Sequence, residues 1–332
     1  MKLKSLIGLF VCCALFFLGC RDDREVSVAV IELTKSSDFT EYPDSSFFKD
    51  ITCMSVNDGK LYMFDATRGD VAMWSKDDNR FLTFGGIGQG PREVANPKTF
   101  FVQDDKVAIM DNGSQSLKIY DEEGGVEMVD IPASNEWRFF IEKDTVYLTC
   151  TYKETFFVKS GKQWKREDYE TGLLFGGTLF KITESKGMNR MRNNRHLVKG
   201  NNCFYAVCPS YPILEKYDLK TNELIASYDL SKVDIIRENL EYIESQNQAP
   251  NTVSLYLKDA YFHKEKLYVL CATWKNGFEV NKLLVLDEGL SPLGIYKLPG
   301  GFYNSFCVDD KFIYAMNYGR CAVEMFEVPS SF

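Results

Sequence analysis

Histidine is almost absent from this chain: His196 and His263 are the only two in 332 residues. A multi-histidine metal centre is therefore excluded, and a Ser-His-Asp triad has just two candidate bases. No G-x-S-x-G elbow accompanies either of them. Basic residues are also in deficit, 39 lysines and arginines against 47 aspartates and glutamates, a formal net charge of −8. A surface of that sign repels a phosphate backbone, so nucleic acid is not an expected partner. There is no C-x-x-C pair, and past residue 19 no run is apolar enough to cross a bilayer. Tryptophan occurs four times, but Phe (25) and Tyr (18) are plentiful, and 45% of the chain is hydrophobic. That composition supplies a real core.

The N-terminus reads as an export signal. Lys2 and Lys4 precede an apolar run from Leu6 to Leu18, then Gly19-Cys20. The run is short for a membrane span and ends in a small residue before cysteine. It resembles a bacterial lipoprotein signal, departing from the usual pattern at Phe17 and Leu18. The resemblance implies Cys20 as the lipid-carrying first residue of the mature chain. "RDDRE" (Arg21 to Glu25) resembles the tag that sends many Bacteroidetes lipoproteins to the cell surface. The expected organisation is a signal peptide over 1–19, a lipidated tether over 20–25 and one folded domain over 26–332. The implied address is the cell envelope, as an outer-membrane lipoprotein exposed at the surface, held to the membrane by its lipid.

Seven cysteines follow Cys20: Cys53, Cys150, Cys203, Cys208, Cys271, Cys307 and Cys321. Cys203 and Cys208 lie in one expected strand, about 16 Å apart on opposite faces. A bridge needs Cα atoms within about 7 Å, so that pair is not nominated. Most of the seven sit among Phe, Tyr and Val and read as small core residues.

The domain is a repeat. "GKLYMFDATRGDVAMWSKDDNRFLTFG" (Gly59 to Gly85) and "DKVAIMDNGSQSLKIYDEEGGVEMVDIP" (Asp105 to Pro132) share one plan. Each has a β-rich run ending in Asp, a small polar turn, a second run, an acidic hairpin and a third run. The first run recurs at Lys60, Lys106, Thr145, Asn202, Lys266 and Lys311, at intervals averaging about fifty residues, the length of a four-stranded propeller blade with its loops. Another strand and turn precede each run, as in "KTFFVQDDK" and "NSFCVDDK". The sixth copy stops after "AVEMFEVP" (Ala322 to Pro329) and lacks an outer strand. "VSVAVIEL" (Val26 to Leu33) has the alternation to supply it and close the ring. The expected fold is all-β: a six-bladed β-propeller of four-stranded blades, closed by an N-terminal strand. One helix is inserted over about 231–245, with Val233, Ile236, Leu240 and Ile243 on one face and Ser231 and Asp234 as a capping box.

"FGGIGQGPREVANP" (Phe84 to Pro97) has the glycine content of a phosphate loop, but a G-x-G-x-x-G frame from Gly86 meets Pro91, and one from Gly88 meets Glu93. No Gly-Lys-Ser/Thr follows, and a strand comes next where a phosphate loop requires a helix. The stretch is a crossing between blades. With the Asp-ended strand before it, it resembles an NHL-type repeat. Joined to the leader, it is similar to the six-bladed, TolB-like β-propeller lipoproteins of Bacteroidetes. That resemblance implies a fold and an address more than an activity.

Candidate site residues gather at the turns between second and third strands and at the crossings. Tyr152, Tyr211, Trp274 and Tyr318 occupy four of the six turns, with Arg68, Lys153, Lys275 and Arg320 beside them. Arg92, Trp137, Arg138 and Arg195 stand at the crossings and strand starts. Together they read as a cationic, aromatic-rimmed funnel on the top face, suited to stacking on sugars or peptide side chains and to pairing with carboxylates. The expected role is a non-catalytic binding propeller, monomeric, for a glycan, a peptide or an envelope protein. The alternative is a calcium-dependent, lactonase-like hydrolase with hub ligands drawn from Glu93, Asn96 and Asn304, alongside Asn135, Glu136 and Asn194. Calcium is the only cofactor that reading brings in; the binding role needs none.

Overall fold

The computed structural model describes residues 26–75, 80–131, 138–149, 157–161, 173–175, 186–246 and 252–330. The expected signal peptide, Cys20 and the tether lie outside them, as do Asn135, Glu136, Trp137, Cys150, Tyr152 and Lys153. The described chain enters through β1 (Val30–Glu32) and β2 (Lys35–Phe39). The first sheet is β3 (Ile51–Asn57), β4 (Lys60–Asp65), β5 (Asp70–Ser75) and β6 (Arg80–Gly85). The second is β7 (Pro97–Gln103), β8 (Lys106–Asp111), β9 (Ser116–Tyr120) and β10 (Val126–Asp130), and the third β11 (Phe140–Glu142), β12 (Thr145–Thr149), β13 (Phe157–Gly161) and β14 (Leu173–Phe175). A short helix, α1 (Lys186–Arg192), leads into the fourth: β15 (His196–Lys199), β16 (Cys203–Val207), β17 (Ile213–Asp218) and β18 (Leu224–Asp229). Helix α2 (Asp234–Ser245) precedes the fifth: β19 (Leu257–His263), β20 (Lys266–Thr273), β21 (Glu279–Asp287) and β22 (Pro292–Lys297). The last holds β23 (Tyr303–Val308), β24 (Phe312–Asn317) and β25 (Ala322–Glu327). Consecutive strands within each sheet pair antiparallel.

The first strands of these sheets touch in cyclic order, β3, β7, β11, β15, β19, β23 and back to β3. The core follows the same cycle, as apolar clusters each shared by two neighbouring sheets. One cluster joins Met54 and Met63 to Cys307 and Tyr314, bringing the last sheet against the first. This is a β-propeller. Because sheets pack face to face, a middle strand is buried on both sides and reads as a continuous apolar run, as in "LYMF" of β4 and all of β16.

Closure differs from the sequence expectation. The strand that completes the last sheet is β2, antiparallel to β25, with Phe39 opposite Val323. Residues 26–33 go elsewhere: β1 pairs parallel with β22 as a fifth strand of the neighbouring sheet, and Val26 bridges Val233. The alternation in "VSVAVIEL" marked a strand but not its partner. "KSSDF" lies on the solvent side, where an outer strand needs no apolar pattern.

The inserted helix forms, with Ile236 and Ile243 buried against the cluster between the fourth and fifth sheets. Its expected capping box does not. Val233 is the N-cap and makes no side-chain cap bond, because the chain arrives through a 3-10 turn that Asp229 caps instead. Asp234 pairs with Arg237 at 2.9 Å.

The Asp that ends the second strand of the early repeats is a clamp. Asp111 accepts from the backbone N–H of Ala95, Asn96 and Gly113 at 3.1, 2.8 and 2.9 Å, and from the Ser114 hydroxyl at 2.7 Å. Asp65 repeats this with Lys49, Thr67 and Arg68 at 2.9, 3.1 and 3.1 Å. One carboxylate thus ties the incoming crossing to the turn beside it. Burial pushes the Asp111 carboxyl up, but the donors from Asn96, Ser114, Ala95 and Gly113 prevail and hold it below its ordinary value. Asp111→Ala is expected to cost about 2–4 kcal/mol, and Asp111→Asn about half of that, read from urea midpoints.

The glycine-rich crossing is architectural. Gly85 and Gly86 sit at φ 84° and 113°, and Gly86 N–H donates to the Gly69 carbonyl. The Glu93 carboxylate accepts from Gly90 N–H at 2.7 Å and occupies the space beside Gly88 that a side chain would fill.

Candidate ligand-binding surface

The turns between second and third strands, and the crossings, share the end of the ring where the first strands begin. On that end, the fifth and sixth sheets present a row of aromatic rings. Trp274 and Phe278 come from the turn between β20 and β21, with centroids 4.2 Å apart. Phe302, in the crossing into β23, lies 5.6 Å from Phe278, and Tyr318, after β24, lies 5.6 Å from Phe302. Trp274, Phe278 and Tyr318 are 36%, 40% and 55% exposed, so three of four large rings in contact face solvent. Isolated exposed rings are ordinary; a contiguous row is not.

Helix α2 fixes one end of this row. Asn239, buried, accepts from Trp274 N–H at 2.8 Å and donates to the Ala272 carbonyl at 3.1 Å. The Trp274 indole N–H donates inward to the Leu255 carbonyl at 3.2 Å. Its one polar atom is thereby satisfied and the ring is held in place. Ion pairs border the row: Lys275 with Glu238 at 3.2 Å, and Arg320 with Glu324 at 3.0 Å and Asp38 at 3.1 Å. An apolar centre with a charged border is the anatomy of a recognition patch.

Other residues nominated from the sequence are placed differently. Tyr211 is half-buried in the turn after β16. Arg138 and Arg195 do not reach the surface. Arg195 is fully buried, its Nε 3.1 Å from Glu215 and its guanidinium also donating to the Asn193 carbonyl. Arg68 pairs with Asp70 at 2.9 Å and lies over the Tyr42 ring. The Arg92 guanidinium rests against the hairpin at Gly124. The arginines therefore make no shared cationic funnel. In an acidic chain each finds its own carboxylate or packing surface, since a guanidinium left alone in the interior is costly.

Arg138 instead spans the hub. Its Nε and one terminal nitrogen meet Asp259 on β19, each at 2.8 Å, while the other nitrogen donates to the Met54 carbonyl on β3 at 2.8 Å. A further bond reaches the Phe306 carbonyl on β23 at 3.0 Å, and the Ser305 hydroxyl donates to Asp259 at 2.7 Å. Burial opposes ionisation of Asp259, but Arg138 and Ser305 prevail and hold its carboxyl below the ordinary value. His196, on β15, is wholly buried nearby, and its Nδ1 has no hydrogen-bond partner. Burial foremost, with the charges of Lys258 and Arg138, pushes its pKa down to about 4 against the opposing pull of Asp259. His263 is half-buried and meets Asp310 at 2.8 Å.

The calcium candidates do not converge. Glu93 serves its own loop, Asn96 lies in the same crossing, and Asn304 donates to the Ile51 carbonyl at 3.0 Å. Among the described residues, no three His, Cys, Asp or Glu side chains group as a metal site. Cys53, Cys203, Cys208, Cys271 and Cys307 are buried as core residues, and Cys321 is exposed. Phe278 and Phe302 were missed in the sequence. "WKNGF" and "PGGFYN" carry the signal, an aromatic directly after the turn glycines.

No family model matches the chain, and no curated protein is detectably similar to it. Among solved structures it is similar to a member of the DUF4221 family from Bacteroides vulgatus, with TM-score 0.55 and 11% identity over 89% of this chain and 97% of that one. A protein of Bacteroides fragilis described as exported gives TM-score 0.54 and 14% identity over 87% and 88%. A streptogramin B lyase gives 0.52 and 10% over 88% and 97%. At such identities the likeness carries the fold alone.

Proposed function

We propose that this chain is an exported, lipid-anchored, six-bladed propeller of the cell envelope that binds a protein or peptide partner without catalysis, through the aromatic row at the start of its first strands. The leader and Cys20 support the address. The likeness to an exported Bacteroides protein is consistent with it. Six sheets in cyclic contact support the blade count. The observation that carries the binding role is the row itself: Trp274, Phe278, Phe302 and Tyr318 in continuous contact, largely exposed and bordered by ion pairs. Two of the four rings are phenylalanines, which offer no hydrogen bond, and the charged groups nearby are already paired. Sugars need polar groups beside the stacking ring, whereas apolar side chains of a peptide or protein need only the rings. The lactonase-like alternative lacks support, as its hub ligands do not meet.

Thermal melting of the purified chain against peptide and glycan panels, with calcium or EDTA, tests this reading. A native-state binder raises the midpoint by mass action. Peptides rich in aromatic and aliphatic residues are expected to raise it, and Trp274→Ala with Phe278→Ala is expected to weaken their binding at least about thirtyfold, as loss of a central hot spot does. A rise with glycans alone would contradict the peptide assignment, and a calcium shift reversed by EDTA would contradict the metal-free role.

A further inference from the structure

We infer that residues 26–33 form a strap that sets the order of the aromatic row: docked, it holds helix α2 and the row in place, and released, it loosens both. Val26 N–H donates to the Lys232 carbonyl at 2.9 Å, and the Val26 carbonyl accepts from Asp234 N–H, the first amide of α2, at 3.4 Å. The first turn of a helix leaves its amides without partners inside the helix. The N-cap residue, Val233, offers no side-chain bond, and the carbonyl of the strap stands in for one. Five residues along α2, roughly 7–8 Å at the helical rise, Asn239 accepts from the Trp274 backbone N–H.

The strap reaches the row by a second route. Val28 packs against the apolar cluster that holds Ile236 and Ile243 of α2, whereas Ile31 and Leu33 belong to the next cluster, with Ala272 and Phe302. Its attachment is slight. β1 pairs with β22 over three residues only, in parallel, as the outermost strand of its sheet. Parallel pairing is the slightly weaker kind, and Val30 is 52% exposed. Ile295 N–H donates to the Ala29 carbonyl and Leu33 N–H to the Lys297 carbonyl, each at 2.8 Å. An edge segment with few buried contacts opens ahead of the sheets behind it. The order of the row is thus tied to a segment that can leave while the propeller stays folded. The consequence for binding rests on the role proposed above.

Amide hydrogen exchange of the full chain, without ligand, tests the strap directly. Val26→Pro removes the donor to Lys232, and Val28→Asp independently undocks the strap from the α2 cluster. Each is expected to speed exchange over residues 234–245 and 272–278 about fivefold or more, the worth of a lost helix cap. Exchange over the second sheet, residues 97–130, is expected to stay at the wild-type rate. Val28→Ile, which keeps the packing, and Glu32→Gln, which removes only the exposed pair with Lys297, are expected to match wild type. A Phe- and Leu-rich peptide is expected to bind Val28→Asp about threefold or more weakly than wild type, because the competent row is less populated. The inference is overturned if both strap variants exchange as wild type, if α2 loosens while residues 272–278 do not, or if the second sheet loosens equally. A peptide that binds no version of the chain counts against the binding role, while the exchange rates still decide the strap.

Discussion

Arg138→Met is expected to cost the fold about 3–5 kcal/mol, the largest single effect in the hub. The substitution removes a guanidinium that bonds to three other sheets and leaves the Asp259 carboxylate buried without its counter-charge. Breaking one side of a buried pair carries a penalty of that order, whereas replacing both sides by apolar groups is often nearly neutral. Arg138→Met with Asp259→Leu is therefore expected to recover most of the loss. Urea unfolding of the two single variants and the double variant closes the cycle. Additive losses would show that the pair is not coupled and that each residue acts through packing alone.

His196 makes stability depend on pH. Its folded pKa, pushed down to about 4, lies below the ordinary value of 6.5. The folded state therefore favours the neutral ring, and the unfolded chain binds more protons between those two values. Stability is complete above pH 6.5 and falls as pH drops from 6.5 toward 4, by roughly 3 kcal/mol across the window. Carboxylates such as Asp111 and Asp259, with depressed values, lose their contribution at lower pH still. The two effects separate by comparing wild type with His196→Gln: the variant is expected to lose the slope between pH 6.5 and 4 and keep the acid limb below it. Parallel curves would mean that the buried imidazole is not the titrating group.

Much of the architecture is legible because the repeat is written in strand chemistry. Second strands expected to start at Lys60, Lys106, Thr145 and Lys266 start at those residues, since doubly buried strands demand continuous apolar runs. The closing strand is not legible: "KSSDF" faces solvent and carries no pattern, while "VSVAVIEL" carries one that fits either neighbour. The recurrent Asp was visible as a rhythm, but its role appears only when Asp111 is seen gathering donors from two loops. The aromatic row was half legible, through Trp274 and Tyr318. Phe278 and Phe302 join it through tertiary contact, and sequence spacing does not reveal that. The arginines misled because exposure was inferred from their place beside turns. Arg138 and Arg195 show that a turn-flanking cation can point into the interior as readily as out of it.

The central claim is that recognition happens at the aromatic row. A photo-crosslinking amino acid placed at Phe278, at Tyr318 and, as a control, at the exposed Met128 on β10 tests it in cells that make the full chain. The account expects one discrete adduct shared by positions 278 and 318, lost when Trp274 is replaced by alanine, and none at 128. Adducts at 128 alone, or equally at all three positions, would contradict it.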